Sequence, residues 1–225
     1  MPDALVDARD LSRTYGSGRA TVTALVSATF RVSAGDLIAL VGPSGSGKST
    51  LLHLIGGLDS PTDGDIEWPG IGTREQLRPG PIAIAFQGPS LLPPLTILEN
   101  VALPVLLTGG DGDAATVAAQ ALLELFEVDE VADKLPEELS GGQVQRAGIA
   151  RALAGNPKLV LADEPTGQQD HATGRRLMDA LLAGVDATGA ALVVATHDPA
   201  VAERLATRWS VDAGLLATED ARCSA

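Results

Sequence analysis

Gly42-Pro43-Ser44-Gly45-Ser46-Gly47-Lys48-Ser49-Thr50 lies between the apolar run Leu37-Ile38-Ala39-Leu40-Val41 and the helical pattern Leu51-Leu52-His53-Leu54-Ile55. A buried strand, a glycine-rich turn and a helix start, in that order, are what a phosphate-binding loop requires. Gly42, Gly45 and Gly47 let the backbone take positive φ and approach an anion closely. Successive N–H groups then face one concavity, and the following helix adds the positive end of its dipole. Lys48 is spaced to reach the β- and γ-phosphates of a nucleoside triphosphate, and the Ser49 hydroxyl to hold Mg²⁺. An ordinary glycine-rich strand-to-helix turn accounts less well for the full spacing in this context.

The chain has 225 residues, enough for one substantial core with a lobe inserted. Only 3% of it is aromatic, so alanine, valine and leucine must carry that core. The formal net charge of −13 argues against a nucleic-acid partner, because phosphate backbones demand basic patches. Asp111 to Glu138 holds nine acidic residues against the single Lys134, and reads first as a solvated face. Its functional alternative is steering toward a membrane partner whose cytoplasmic loops are rich in Lys and Arg. Cys223 is the one cysteine, so neither a disulfide framework nor a cysteine metal site is expected, which suits a reducing cytoplasm. Asp3, Asp7 and Asp10 stand where a signal peptide would be cationic, and no apolar run approaches the ~18–20 residues that cross a bilayer. The chain is not expected to enter a membrane by itself.

Leu5 to Leu11 and Leu25 to Val32 read as strands separated by a turn at Gly16-Ser17-Gly18. The helix opened by the phosphate loop stops at Gly56-Gly57, and short strands follow near Asp65–Trp68 and at Ile82–Phe86. Thr96 to Glu99 is a capping box opening a helix that Pro104 is expected to disturb. Helical spacing recurs over Ala114–Phe126 and from Ser140 to Leu153. Strands at Leu159–Ala162, Ala190–Ala195 and Trp209–Val211 then alternate with helices at Ala172–Val185 and from Asp198. Strands joined by crossover helices imply a mainly parallel sheet with helices on both faces.

Two further stretches carry chemistry. Leu159-Val160-Leu161-Ala162 runs into Asp163-Glu164 at a strand's C-terminal end, where parallel sheets place their sites. Adjacent side chains on an extended chain point apart, so Asp163 is assigned to the Mg²⁺ shell and Glu164 to polarising the attacking water. A solvated pair of strand-end acids is the alternative. Ser140-Gly141-Gly142-Gln143, after Leu139, joins a hydroxyl, two unhindered amides and a helix N-terminus, a second anion cradle. A plain serine cap would explain the helix start alone. One nucleotide does not need two cradles from one chain, so the second is assigned to the triphosphate held by another subunit.

Tyr15, the phosphate loop, Gln87, Leu139–Gln143, Asp163-Glu164, Asp170 and His197 occur in an order that resembles the ATP-binding subunits of ABC transporters over essentially the whole chain. Leu51 to Asp59, Leu95 to Val101 and Asp163-Glu164-Pro165-Thr166-Gly167 look like the branch serving lipoprotein release, macrolide export and cell-division permeases. The resemblance implies an α/β P-loop NTPase with a mainly parallel core, an N-terminal antiparallel β portion and an inserted helical subdomain. Residues 1–225 would form one ATPase domain, with 1–87 and 157–225 as nucleotide-binding core and 88–156 as the helical subdomain.

The resemblance also implies roles. Tyr15 would stack on adenine; Gly42, Pro43, Ser44, Gly45, Ser46, Gly47, Lys48, Ser49 and Thr50 would hold the phosphates; Ser49, Gln87 and Asp163 would attend the metal. Gln87 would sense the γ-phosphate, His197 would join Glu164 in catalysis, and Ser140, Gly141, Gly142 and Gln143 would cover the ATP of a second copy. His53 and His171 are read as structural. Gln169 stands before Asp170 where the family usually has an apolar residue, which leaves the packing of that loop in question. The implied protein hydrolyses ATP with Mg²⁺ as a dimer and drives a separate membrane permease, exporting or extracting a lipophilic or peptide-like substrate. It would be cytoplasmic, peripheral on the inner face of the cell membrane. A regulatory ATPase gating a membrane complex is the alternative, and a small-molecule kinase would leave Ser140–Gln143 without a role.

Overall fold

Leu37–Val41 offers no polar residue to a solvent-facing side, so as a strand it must be covered on both faces. In the computed structural model, which describes residues 4–88 and 90–219, it is such a strand, with Ile38 to Leu40 buried. The elements run in chain order as β1 (Ala4–Tyr15), β2 (Val22–Ser33), β3 (Leu37–Val41), α1 (Lys48–Ile55), β4 (Asp63–Glu67), β5 (Ile82–Ala85), α2 (Ile97–Leu107), α3 (Gly112–Leu125), α4 (Gly141–Ala154), β6 (Leu159–Asp163), α5 (His171–Thr188), β7 (Ala191–Thr196), α6 (Pro199–Ala202), β8 (Thr207–Asp212) and β9 (Leu215–Glu219). They fall into two units, one formed by the residues up to Leu77 and from Ala191 onward, the other by Arg78–Ala190.

In the first unit the strands lie in the order β4-β1-β2-β9-β8-β3-β7. β1 pairs antiparallel with β2 and β4, while β3 pairs in parallel with β7 and β8. The antiparallel portion and the parallel core expected from the sequence are therefore both present. α1 packs on β2 and β7, and α6 on β3 and β7. Trp68 seals the end of α1, its indole N–H donating to the Ile55 carbonyl at 2.8 Å.

Three details differ from the sequence reading. β1 and β2 are longer than their apolar centres, so Tyr15 ends a strand. Leu215–Glu219 is an unanticipated strand, joined to β8 through Ala213 (φ 46°) and Gly214 (φ 80°). Two successive positive φ values make the primed turn that matches strand twist, a signal that Ala-Gly carries weakly. Pro104, expected to disturb its helix, sits inside an unbroken α2. Packing of α2 on α3 and α4 outweighs the one missing N–H.

In the second unit β5 and β6 pair in parallel, and α4 packs against both strands as well as against α2, α3 and α5. The segment entering α2 is held by Asn100, which is wholly buried. Its Oδ1 accepts from the Leu92 N–H at 2.7 Å, and its Nδ2 donates to the carbonyls of Leu92, Leu95 and Thr96 at 3.1, 3.0 and 3.0 Å. Asn100→Ala strands these groups without their partner, so we expect a loss of about 2–4 kcal/mol in unfolding free energy. Urea titration should show a lower midpoint at unchanged m value; an unmoved midpoint would mean that something else holds the segment.

Candidate functional site

The phosphate loop is positioned by what surrounds it in the first unit. β3 ends at Val41, α1 begins at Lys48, and the backbone between them runs against two carbonyls. A Cβ on Gly42 (φ 154°) would lie 2.1 Å from the Val211 oxygen, and one on Gly47 (φ 114°) 2.2 Å from the Ala24 oxygen. No side chain fits either place, whereas Gly45 (φ 75°) faces open space and is needed for its conformation alone. Lys48 is buried and folds back along the loop, its Nζ donating to the carbonyls of Gly42 (2.8 Å) and Pro43 (2.9 Å).

Leu51 is the first residue of α1 whose N–H turns inward, to Gly47 O at 2.9 Å. The amides of Lys48, Ser49 and Thr50 have no acceptor within the helix. Ser46 Oγ is buried without a hydrogen-bond partner among the described residues. Pro43, Ser44, Gly45 and Ser49 are exposed. Free amides, a glycine path and a lysine on the rim fit a polyphosphate.

Tyr15, at the end of β1, is exposed. His197 follows β7 directly and is exposed, while its neighbours are fixed: Thr196 is wholly buried and its Oγ1 accepts from the Asp198 N–H at 3.0 Å. Asp198 in turn caps α6 through the Ala200 N–H at 2.8 Å. The imidazole is thus carried on a held turn. His53 is half-buried on α1 and His171 is exposed at the start of α5.

In the second unit Asp163 ends β6 and Glu164 follows, both buried. Glu164 takes φ 48°, so the two acids do not simply alternate as on an extended chain. Left-handed backbone on a glutamate is strained and persists only where neighbours enforce it. Here the Glu164 carbonyl accepts from Gln145 Nε2 at 2.9 Å and from the Gly167 N–H at 3.0 Å. Gln145, itself buried, also accepts from the Gln168 N–H at 3.3 Å. No sequence signal singles out Gln145; its importance lies in a backbone contact across 19 positions.

Gln169 answers the question its position raised. Its Nε2 donates to the Gly142 carbonyl at 2.9 Å, so a hydrogen bond takes the place of apolar packing. A Cβ on Gly141 would meet Gln168 Oε1 at 2.5 Å, and one on Gly142 would meet Gln169 Oε1 at 2.9 Å. The loop after Glu164 therefore lies directly on the two glycines. Asp170 caps α5, and the Thr173 and Ala172 amides hold its carboxyl below the ordinary carboxylate value.

Ser140 caps α4 and shares a reciprocal box with Gln143, whose Oε1 accepts from the Ser140 N–H at 3.0 Å. Ser140 and Gly141 are nonetheless exposed. Gln87, just past β5, is exposed and lines a cleft of about 440 Å³ with Leu91, Leu139, Gly141, Gln145 and Gln168. The second unit thus brings Gln87, the Ser140 loop and the segment after Glu164 to one place. Among the described residues no group of three or more His, Cys, Asp or Glu could hold a metal unaided. A Mg²⁺ would instead take most of its oxygens from phosphate and water, as that ion usually does.

The chain is similar to known proteins along most of its length. The family model described as "ABC transporter" matches residues 25–167. The lipoprotein-releasing system ATP-binding protein LolD of Legionella pneumophila (strain Lens) is 41% identical over 215 residues, covering 91% of this chain and 93% of that protein. An ABC transporter ATP-binding protein of Mycobacterium tuberculosis (strain ATCC 25618 / H37Rv) is 42% identical over 206 residues, covering 88% and 83%. The cassette MJ0796, solved as a dimer in a post-hydrolysis state bound to ADP and Pi, superposes with a TM-score of 0.87 at 35% identity, covering 95% of this chain and 97% of that one.

The squeeze at Gly47 yields a direct test. Gly47→Ala should weaken binding of a fluorescent ATP analogue at least about tenfold, since the new Cβ must push the loop off the Ala24 carbonyl. Unchanged affinity in a variant with native circular dichroism would contradict the cradle.

Proposed function

We propose, for a chain that belongs to the ABC transporter family as one of its ATP-binding, ATP-hydrolysing subunits, that two copies close face to face around two ATP molecules and drive a separate membrane permease. The observation that carries this reading is the second cradle. α4 is a full helix whose first turn, at Ser140 and Gly141, is exposed although the same chain already owns a complete phosphate loop. MJ0796 is described as dimeric, which supports a partner for that cradle.

In this reading residues 1–87 and 157–225 are the nucleotide-binding core and 88–156 the helical subdomain. Tyr15 stacks on adenine, Gly42 to Thr50 hold the phosphates, and Ser140 to Gln143 of each copy cover the ATP of the other. Ser49, Asp163 and Gln87 would hold Mg²⁺, which supplies charge neutralisation on the phosphate oxygens. Glu164, fixed by its backbone bonds, orients and polarises the attacking water, and His197 steadies the γ-phosphate. Catalysis is then mostly positioning, as phosphoryl chemistry requires.

Among the described residues no helix is long and apolar enough to cross a membrane, so the transport path would belong to another chain. Closure on ATP and opening after hydrolysis would be passed to that partner through Gln87 and the helical subdomain. The relatives named for lipoprotein release favour extraction or export of a lipophilic or peptide-like substrate, with this chain cytoplasmic and peripheral on the inner face of the cell membrane. The acidic charge argues against a nucleic-acid partner.

Glu164→Gln separates binding from chemistry. ATP affinity should stay within about twofold while phosphate release falls about 10²–10⁴-fold. The variant should also elute as a dimer in ATP and as a monomer without it. Normal turnover would place the base elsewhere.

A further inference from the structure

Tyr15 carries more structure than an exposed aromatic at a strand end needs. Its hydroxyl donates to Asp59 Oδ2 at 2.7 Å, the short range of a bond to an ionised acceptor. The same carboxylate is gripped by Arg13 through Nε to Oδ2 (2.9 Å) and a second nitrogen to Oδ1 (2.8 Å). The Arg13 guanidinium also lies over the Tyr15 ring, 4.5 Å from its centroid. One face of the ring is therefore occupied by a cation, which sets the ring's orientation, and the hydroxyl bond pins its far end.

Asp59 is itself anchored to the helix that starts at the phosphate loop. The amides of Leu58 and Asp59 turn back to the His53 carbonyl on α1, at 2.8 and 3.3 Å. Arg74 holds the turn from the other side, donating to the carbonyls of Gly57 and Asp59 at 3.1 and 2.9 Å. Burial works to raise the Asp59 carboxyl, but the Tyr15 hydroxyl, the Ser60 amide and Arg13 outweigh it and hold it below the ordinary carboxylate value.

We propose that Arg13 and Asp59 are positioning residues for nucleotide recognition, making Tyr15 a pre-ordered, one-sided platform for the base at a fixed distance from the phosphate loop. The proposal rests on the reading that Tyr15 stacks on adenine. Ordering an aromatic side chain on binding opposes affinity, and a ring already immobilised avoids that loss. Because both the platform and the phosphate cradle are tied to α1, a triphosphate gains from the base only when both ends fit at once. A plain surface staple between β1 and the turn would affect stability without distinguishing ligands that have a base from those that do not.

Calorimetric titration of the full chain with ATP and with inorganic tripolyphosphate, which has no base, separates these outcomes. Tyr15→Ala should weaken ATP about fivefold or more and leave tripolyphosphate unchanged. Arg13→Ala and Asp59→Ala should each weaken ATP about two- to tenfold, again sparing tripolyphosphate. Asp59→Asn, which keeps an acceptor for the hydroxyl, should fall between Asp59→Ala and the unsubstituted chain and serves if the alanine variant does not fold. If Tyr15→Ala weakens ATP but the Arg13 and Asp59 variants do not, the positioning role is overturned while the base reading stands. If those two variants weaken both ligands equally, they act as a staple and the proposal fails. If Tyr15→Ala leaves ATP affinity unchanged, the base reading fails and takes the proposal with it.

Discussion

The carbonyl oxygens of Val211 and Ala24 come so close to Gly42 and Gly47 that the loop between β3 and α1 has one path available. That path turns the first amides of α1 toward a shared concavity and lays Lys48 along its rim. Backbone approach of this kind depends on the strands behind the loop, because Val211 belongs to β8 and Ala24 to β2. The strands that set these two carbonyls behind the loop, β8 paired in parallel with β3 and β2 beyond it, are therefore what give the phosphate cradle its shape.

A comparable dependence organises the second unit. The left-handed turn at Glu164 is kept in place by Gln145, which reaches it from α4, the helix that Ser140 caps. Gln168 and Gln169 then lie against one side of the first glycines of that helix, which leaves Gly141 exposed. One buried amide thus connects the turn that would carry the general base with the cradle that would face a second copy. Movement of the helix start and movement of the strand end cannot be independent when a single side chain holds both.

Much of the fold and of the site is legible in the sequence alone. The phosphate loop shows in the sequence because glycines, lysine and hydroxyl must stand at fixed offsets, and the strands β3, β6 and β7 show because full burial requires unbroken apolar runs. Ser140–Gln143 was legible as a helix start, and Gln169 as a departure whose consequence only the geometry revealed. What stayed hidden depends on contacts distant in sequence. The strain at Glu164, the part played by Gln145 and the Tyr15–Asp59–Arg13 cluster join positions that local patterns do not relate. β9 and the unbroken α2 were missed for the same reason, since pairing and packing overrode weak local signals.

The central claim is that each hydrolytic site is shared between two copies, one bringing the phosphate loop and the other the serine cradle. Mixing Lys48→Ala chains with Ser140→Arg chains and following phosphate release tests it most directly. Neither variant alone should hydrolyse ATP, while the mixture should regain activity because mixed pairs contain one intact loop facing one intact cradle. Full-rate hydrolysis by Ser140→Arg alone, or a mixture shown to contain mixed pairs yet as inactive as its components, would contradict the account.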